Sequence, residues 1–123
     1  MSIQLTDAEW KIMEVLWDGA PRTMAEITKT LEHATGWTRH TVITLLKRMQ
    51  EKGSVEVDES GNVKRYYPRV TREQASHEQT QKLLSRVFSG KASLLLHNLI
   101  DSGEMTVEEM QDVLDMLRKG GKP

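Results

Sequence analysis

A short motif that starts helices occurs four times along the chain. In each case a threonine is followed three residues later by a glutamate or a glutamine, and both side chains bond the backbone of the first turn, an arrangement called a capping box. The four boxes are Thr6–Glu9, Thr23–Glu26, Thr71–Gln74 and Thr106–Glu109. The apolar spacing after them predicts helices over residues 7–17, 24–33, 72–88 and 107–119.

The segment Trp37–Gly53 predicts a further helix with two chemically different faces. Thr38 can cap its first turn, and Gly53 stands where a left-handed residue commonly ends a helix. The apolar face, with the spacing of a buried stripe, consists of Val42, Leu45, Leu46 and Met49. The opposite face carries His40, Thr41, Thr44, Lys47, Arg48 and Glu51. Hydroxyls and cations on one face can enter the DNA major groove, although this segment alone fits a solvated surface helix equally well.

The flanking segments favour the DNA-binding interpretation. The helix over 24–33 is joined to this one by a short turn containing glycine, and such a pair forms a helix-turn-helix. Residues 54–58 alternate in polarity, 59–62 are typical of a turn, and 63–68 form a return strand that ends at a proline. A hairpin directly after a recognition helix is the wing of a winged-helix domain, and a plain surface hairpin is the alternative. We therefore predict a mainly α fold with a small β-hairpin, in which residues 1–70 form a winged helix-turn-helix domain.

Nine residues of this domain are predicted to contact DNA. They are Arg39, His40, Thr41, Thr44, Lys47 and Arg48 on the helix, and Asn62, Lys64 and Arg65 on the wing. Thr41 and Thr44 can meet thymine methyls or hydrogen-bond acceptors, and Arg48 can reach a phosphate or a guanine. The charge distribution agrees with this, because residues 36–70 carry seven cations against four acids, net +3, although the whole chain has a net charge of −1.

Residues 71–123 are predicted to form a three-helix dimerisation domain. The middle helix, over 92–100, is apolar on almost every side and should therefore be buried on several sides. A unit of about fifty residues is too small to enclose such a helix, and the same unit of a second chain would complete the burial. The side chains assigned to this interface are Leu83, Leu84, Val87, Phe88, Leu95, Leu96, Leu99, Ile100, Met110, Val113, Leu114 and Leu117.

Other classes of function find little support in the sequence. The chain lacks cysteine, a glycine-rich phosphate loop and the HExxH and GxSxG motifs, and its four histidines show no paired ligand spacing. We therefore expect no metal, no cofactor and no enzymatic activity. The chain also lacks a secretory signal and an apolar run of about 18 residues, which predicts a cytoplasmic protein without membrane contact. The alternative function is a winged-helix protein-interaction module without sequence-specific DNA binding.

Three segments carry a family resemblance: LTDAEWKIMEVLW near the start, WTRHTVITLLKRMQEKGSV across the predicted recognition helix, and RYYPRV at the end of the predicted wing. In these segments, and in the hydrophobic stretch LLLHNLI, the chain resembles the BlaI/MecI family of bacterial penicillinase repressors. The resemblance implies a homodimeric cytoplasmic repressor with an N-terminal winged-helix domain and a C-terminal helical dimerisation domain. It also implies a palindromic operator, typically upstream of β-lactamase or methicillin-resistance genes.

The same resemblance implies a mode of regulation. In the better known family members, a membrane sensor-protease system leads to cleavage of an Asn-Phe bond in the dimerisation domain. The matching pair here is Asn98–Leu99, with leucine in place of the family's phenylalanine. The copper-responsive members use a C-terminal cysteine motif, which this cysteine-free chain does not have. The expected partners are double-stranded operator DNA, a second copy of the chain and a sensor-linked protease.

Overall fold

The computed structural model describes residues 3–120, and six helices and three short strands lie in this part of the chain. The helices are α1 (Asp7–Asp18), α2 (Met24–Thr35), α3 (Arg39–Lys52), α4 (Arg72–Val87), α5 (Ala92–Asp101) and α6 (Val107–Arg118). The strands are β1 (Arg22–Thr23), β2 (Val55–Asp58) and β3 (Arg65–Pro68). The prediction of a mainly helical chain with a small β-hairpin is confirmed. Residues 1–2 of the predicted DNA-binding domain and residues 121–123 of the predicted dimerisation domain lie outside the described residues.

All four predicted capping boxes are present, and they determine where their helices begin. Before α1, Thr6 Oγ1 accepts a hydrogen bond from Glu9 N at 3.1 Å, and Glu9 Oε1 accepts one from Thr6 N at 2.9 Å. Equivalent pairs of hydrogen bonds stand before α2, α4 and α6. Each box satisfies two backbone amides that a helix start otherwise leaves without partners.

Helix α3 has the predicted cap at each end. Thr38 Oγ1 accepts a hydrogen bond from Thr41 N at 3.4 Å. Gly53 ends the helix in the left-handed conformation, with φ of 86°, and Ser54 N then donates to Met49 O at 2.9 Å. These bonds close the last turn and direct the chain into β2.

The first compact unit, Met1–Gln79, contains the hydrophobic core. The fully buried apolar side chains of α1, α2 and α3 that form its centre are Ile12, Met13, Leu16, Ile27, Val42, Leu46 and Met49. The predicted apolar stripe of α3 is confirmed, because all four of its side chains are buried. Ala75 of α4 is also buried in this core, so α4 begins in the first unit.

The wing belongs to a three-stranded antiparallel sheet with strand order β1-β3-β2. Tyr66 of β3 is buried and pairs with Arg22 of β1 on one side and with Val57 of β2 on the other. The sequence did not predict β1, because two residues are too few to show alternation. The prediction that the return strand begins at residue 63 is wrong by two residues, because β3 begins at Arg65 and pairing stops opposite Asp58.

The second compact unit, Thr80–Pro123, consists of the end of α4 together with α5 and α6. Within its described residues, no side chain is buried. Leu94 and Ile100 of α5 are 44% and 47% exposed. This agrees with the expectation that a unit of this size cannot enclose the helix by itself, and burial by a second chain stays a prediction.

Candidate nucleic-acid interface

Helix α3 presents an exposed polar face opposite its buried stripe. Val42 and Met49 are completely buried, so the rotation of the helix about its own axis is fixed by the core. Of the six residues predicted to contact DNA from this helix, five are exposed: Arg39, His40, Thr44, Lys47 and Arg48. Thr41 is half-buried beside the N-terminal cap. The structure therefore brings the predicted contact residues of α3 to one accessible surface.

The two threonines on this face differ in what they can offer a ligand. Thr44 Oγ1 donates its proton to the backbone oxygen of His40 at 3.0 Å. Its outward parts are therefore a methyl group and an oxygen that can only accept. Thr41 Oγ1 lies 3.4 Å from Thr38 Oγ1, and either oxygen can be the donor in that pair.

The cations of the α3 face are not neutralised by neighbouring acids. Within residues 3–120, Arg39, Lys47 and Arg48 form no ion pair, unlike Lys52, which pairs with Glu9 at 2.6 Å, and Lys64, which pairs with Glu59 at 3.7 Å. Arg39, Lys47 and Arg48 are therefore available to an external anion. A surface of this kind suits phosphate oxygens and the acceptor groups of guanine.

The predicted contact residues of the wing are also exposed. Asn62 and Lys64 lie between β2 and β3, and Arg65 is the first residue of β3. The ion pair between Lys64 and Glu59 joins two side chains that are 60% and 63% exposed. Exposed pairs of this kind contribute little to stability, so Lys64 can exchange Glu59 for a phosphate.

Arg65 differs from the other predicted contacts in having two acidic side chains nearby. The pKa of Glu26 is lowered by hydrogen bonds from Thr23, with a smaller contribution from the charge of Arg65. The pKa of Asp58 is lowered by hydrogen bonds from Ser60, again with a smaller contribution from Arg65. Arg65 therefore lies near two carboxylates, those of Glu26 and Asp58.

One pair of charged residues near this surface was not predicted. Glu9 is completely buried in the core, and Lys52, the last residue of α3, forms an ion pair with it. The sequence contained a signal for Glu9, because it lies three, four and seven residues before the buried side chains of Ile12, Met13 and Leu16. Because its role in a capping box already explained this acid, the sequence analysis did not assign it a cationic partner. Lys52 was counted only as one of the cations in the middle of the chain.

A model of the penicillinase repressor family matches residues 5–119. The chain belongs to the penicillinase repressor family. This confirms the resemblance inferred from the sequence. Family membership also confirms that the chain is not an enzyme, since the family is one of repressors.

Members of the penicillinase repressor family match over nearly the whole chain. The penicillinase repressor of Bacillus licheniformis is 24% identical over 116 residues, which covers 94% of this chain and 91% of that protein. The methicillin resistance regulatory protein MecI of Staphylococcus aureus (strain N315) is 20% identical over 116 residues, with 94% of each chain covered.

Two solved structures of family members match more than half of the chain. The DNA-binding domain of the repressor BlaI is 29% identical, with a TM-score of 0.53, and the match covers 58% of this chain and 88% of that one. Monomeric Bacillus licheniformis BlaI in complex with the blaP half-operator is 30% identical, also with a TM-score of 0.53, over 59% of this chain and 90% of that one. The predicted winged-helix fold is confirmed by these matches.

None of the twelve residues predicted for the dimer interface is buried in the single chain of this penicillinase repressor family member. Half-buried are Leu84, Phe88, Leu95, Leu96, Leu99, Met110 and Val113. Exposed are Leu83, Val87, Ile100, Leu114 and Leu117. So many apolar side chains that are exposed or only half-buried on three helices are unusual for a protein surface.

The predicted cleavage pair lies inside helix α5. Asn98 is exposed and Leu99 is half-buried. The backbone oxygen of Asn98, the carbonyl of the bond between these residues, accepts a hydrogen bond from Ser102 N at 3.0 Å. This turn of α5 must therefore unwind before the bond can enter an extended protease site.

The described residues contain no site for a metal ion formed by three or more His, Asp or Glu side chains. In the same part of the chain, no helix has both the length and the apolar character needed to cross a membrane.

Proposed function

We propose that the chain is a transcriptional repressor that binds operator DNA with α3 in the major groove. The observation that carries this proposal is the α3 face itself, where Arg39, Lys47 and Arg48 are exposed without an acidic partner. The family supports it, as does the solved BlaI structure, which contains the blaP half-operator.

The exposed residues of α3 and the wing suggest a division of roles. Thr41 and Thr44 face base edges, and Arg48 reaches a guanine or a phosphate. Arg39, His40 and Lys47 complete the contacts of the helix. Asn62, Lys64 and Arg65 hold phosphates from the wing or reach the adjacent minor groove.

The repressor acts as a homodimer in this proposal. Residues 1–70 bind DNA, and residues 71–123 form the dimer interface. The uncovered apolar side chains of α4, α5 and α6 support a second copy as the partner, because pairing would remove them from water. A two-fold dimer favours a palindromic operator with half-sites about 10 bp, or a multiple of that, apart.

The target genes and the signal follow from the family in this proposal. The names of the relatives from Bacillus licheniformis and Staphylococcus aureus support genes for resistance to β-lactam antibiotics as targets. A sensor-linked protease in the cytoplasm cuts the Asn98–Leu99 bond and removes the dimer interface. Loss of the dimer weakens operator binding, because the two half-sites are then no longer bound together.

The proposal is tested by selecting bound duplexes from a random DNA library with the full chain. The expected product is a two-fold symmetric site whose affinity falls steeply with added salt. On that site, we expect Arg48→Ala to weaken binding by roughly 5- to 150-fold, the equivalent of one arginine–guanine contact.

Lys11→Ala is the matched control, because Lys11 is an exposed cation on α1 rather than on α3. It should bind the selected site like the wild-type chain. Failure of the wild-type chain to enrich any sequence, even at low salt, would contradict operator binding and support a protein-interaction module.

A further inference from the structure

A buried ion pair joins the recognition helix α3 to α1. Lys52 Nζ donates to Glu9 Oε1 at 2.6 Å, and it also donates to the backbone oxygen of Gln4 at 2.9 Å. The Glu9 side chain is completely buried, whereas the Lys52 side chain is 30% exposed. The end of α3 is thus held to α1 and to the segment that precedes α1.

The charge of Glu9 depends on this contact. Oε1 accepts hydrogen bonds from Lys52 and Thr6 N, whereas Oε2 is buried and has no hydrogen-bond partner among the described residues. Burial by itself raises the pKa of Glu9, but the hydrogen bonds from Lys52 and Thr6 and the charge of Lys52 lower it by more, so the net change is downward. Glu9 is therefore ionised at neutral pH, and a buried carboxylate without its cation is strongly unfavourable.

Because Lys52 lies at the end of α3, a small tilt at this pair displaces the DNA-facing residues of the helix. Lys52 is the last residue of α3, and Thr44 lies about 12 Å from it along the helix axis at a rise of about 1.5 Å per residue. A tilt of about 5° at this end moves Thr44 by about 1 Å, which is enough to spoil a positioned contact.

We infer that Glu9 and Lys52 are positioning residues for operator reading, which hold the end of α3 against α1 so that its exposed face meets the bases correctly. Lys52 is then not a phosphate contact, although it is a cation on the recognition helix. The inference rests on the proposed function, because it concerns how α3 meets the operator.

Glu9→Gln separates this role from a simple effect of charge. Glutamine also serves in a capping box, so α1 keeps its start. Removal of an acid strengthens binding to any DNA by charge alone, whereas loss of positioning weakens binding to the operator in particular. We expect operator affinity to fall about tenfold, the equivalent of one base contact, while affinity for an unrelated duplex is unchanged or higher.

Glu14→Gln is the matched control, since Glu14 is an exposed acid on the same helix. Its ratio of operator to unrelated-duplex affinity should equal that of the wild-type chain. Circular dichroism at the binding temperature establishes that each variant is folded.

Variants of Lys52 test the same inference from the other side and apply also if Glu9→Gln fails to fold. Lys52→Met should lower operator preference while leaving the salt dependence of binding unchanged, and Lys52→Arg should restore the preference. Lys47→Met, on the exposed face, should instead reduce the slope of log affinity against log salt by about one.

Two results would overturn the inference while the proposed function stands. One is an equal affinity ratio for Glu9→Gln and Glu14→Gln. The other is a salt slope reduced by about one in Lys52→Met, which would make Lys52 a phosphate contact. A wild-type chain that prefers no sequence would overturn the proposed function itself, and the inference with it.

Discussion

The hydroxyl group of Thr44 is committed to its own helix, and this limits what the side chain can recognise. Because the proton is donated to His40 O, the DNA groove meets the methyl group and an accepting oxygen. The only methyl group in the major groove is that of thymine. We therefore expect Thr44 to recognise a thymine by apolar contact.

Two substitutions at position 44 distinguish the methyl group from the hydroxyl. Thr44→Ser removes the methyl and should weaken operator binding by about 1 kcal/mol, whereas Thr44→Val keeps it and should change affinity by less than about twofold. Equilibrium titration with an operator in which uracil replaces the contacted thymine gives a second measurement. The wild-type chain should lose affinity for that DNA and Thr44→Ser should not. A larger loss for valine than for serine would assign recognition to the oxygen instead.

At the residue scale, the sequence predicts which side chains are buried better than it predicts which charged residues pair. The helical spacing from Glu9 to Ile12, Met13 and Leu16 already places this acid on the buried side of α1. Its partner, Lys52, lies 43 residues away. Nothing in local spacing connects two such positions, because their contact exists only once α3 packs against α1.

At the scale of elements, helices were predicted better than strands because their ends carry local chemistry. The capping boxes and Gly53 involve residues three or four apart, so the sequence shows both partners at once. Strand β1 depends on pairing with β3, which lies more than forty residues further along the chain. Its limits therefore follow from the tertiary fold rather than from its own two residues.

The wing is an element whose contribution to DNA binding can be measured separately. Lys64→Ala should weaken binding to all duplexes by a similar factor and reduce the salt slope by about one, because one phosphate contact is lost. The measurement is a series of titrations at several salt concentrations. Lys11→Ala should keep the wild-type slope, and an unchanged slope in Lys64→Ala would exclude Lys64 from the interface.

At the scale of the whole molecule, the two compact units differ in whether they have a buried hydrophobic core. The first has a full hydrophobic core, whereas no described side chain of the second is buried. The sequence predicted this shortage, because a unit of about fifty residues is too small to enclose an apolar helix. It could not predict the arrangement of two chains, since that depends on surfaces that only an assembled pair defines.

Two neighbouring residues on α6 test the proposed dimer. Leu117 is 62% exposed and lies on the predicted interface, whereas Met116 is 54% exposed and lies outside it. Leu117→Glu should dissociate the dimer without unfolding the chain, because it places a charge against apolar side chains of the partner. Light scattering should then give a mass near 14.1 kDa for this variant and about twice that for the wild-type chain.

Met116→Glu is the control, because it adds the same charge in the same turn of the helix. It should remain dimeric and keep the wild-type affinity for a complete operator. Dissociation of both variants would extend the interface to Met116, whereas dissociation of neither would place the interface away from this part of α6.

Within residues 3–120, all buried apolar side chains lie between Leu5 and Ala75. The proposed cut after residue 98 would therefore leave this core on one fragment, and we expect the product to be a folded remnant rather than a denatured one. Such a remnant cannot be repaired by refolding. Under the proposed regulation, we expect the return to repression to follow the synthesis of new chains and the dilution of old ones, with the time course of growth and protein turnover.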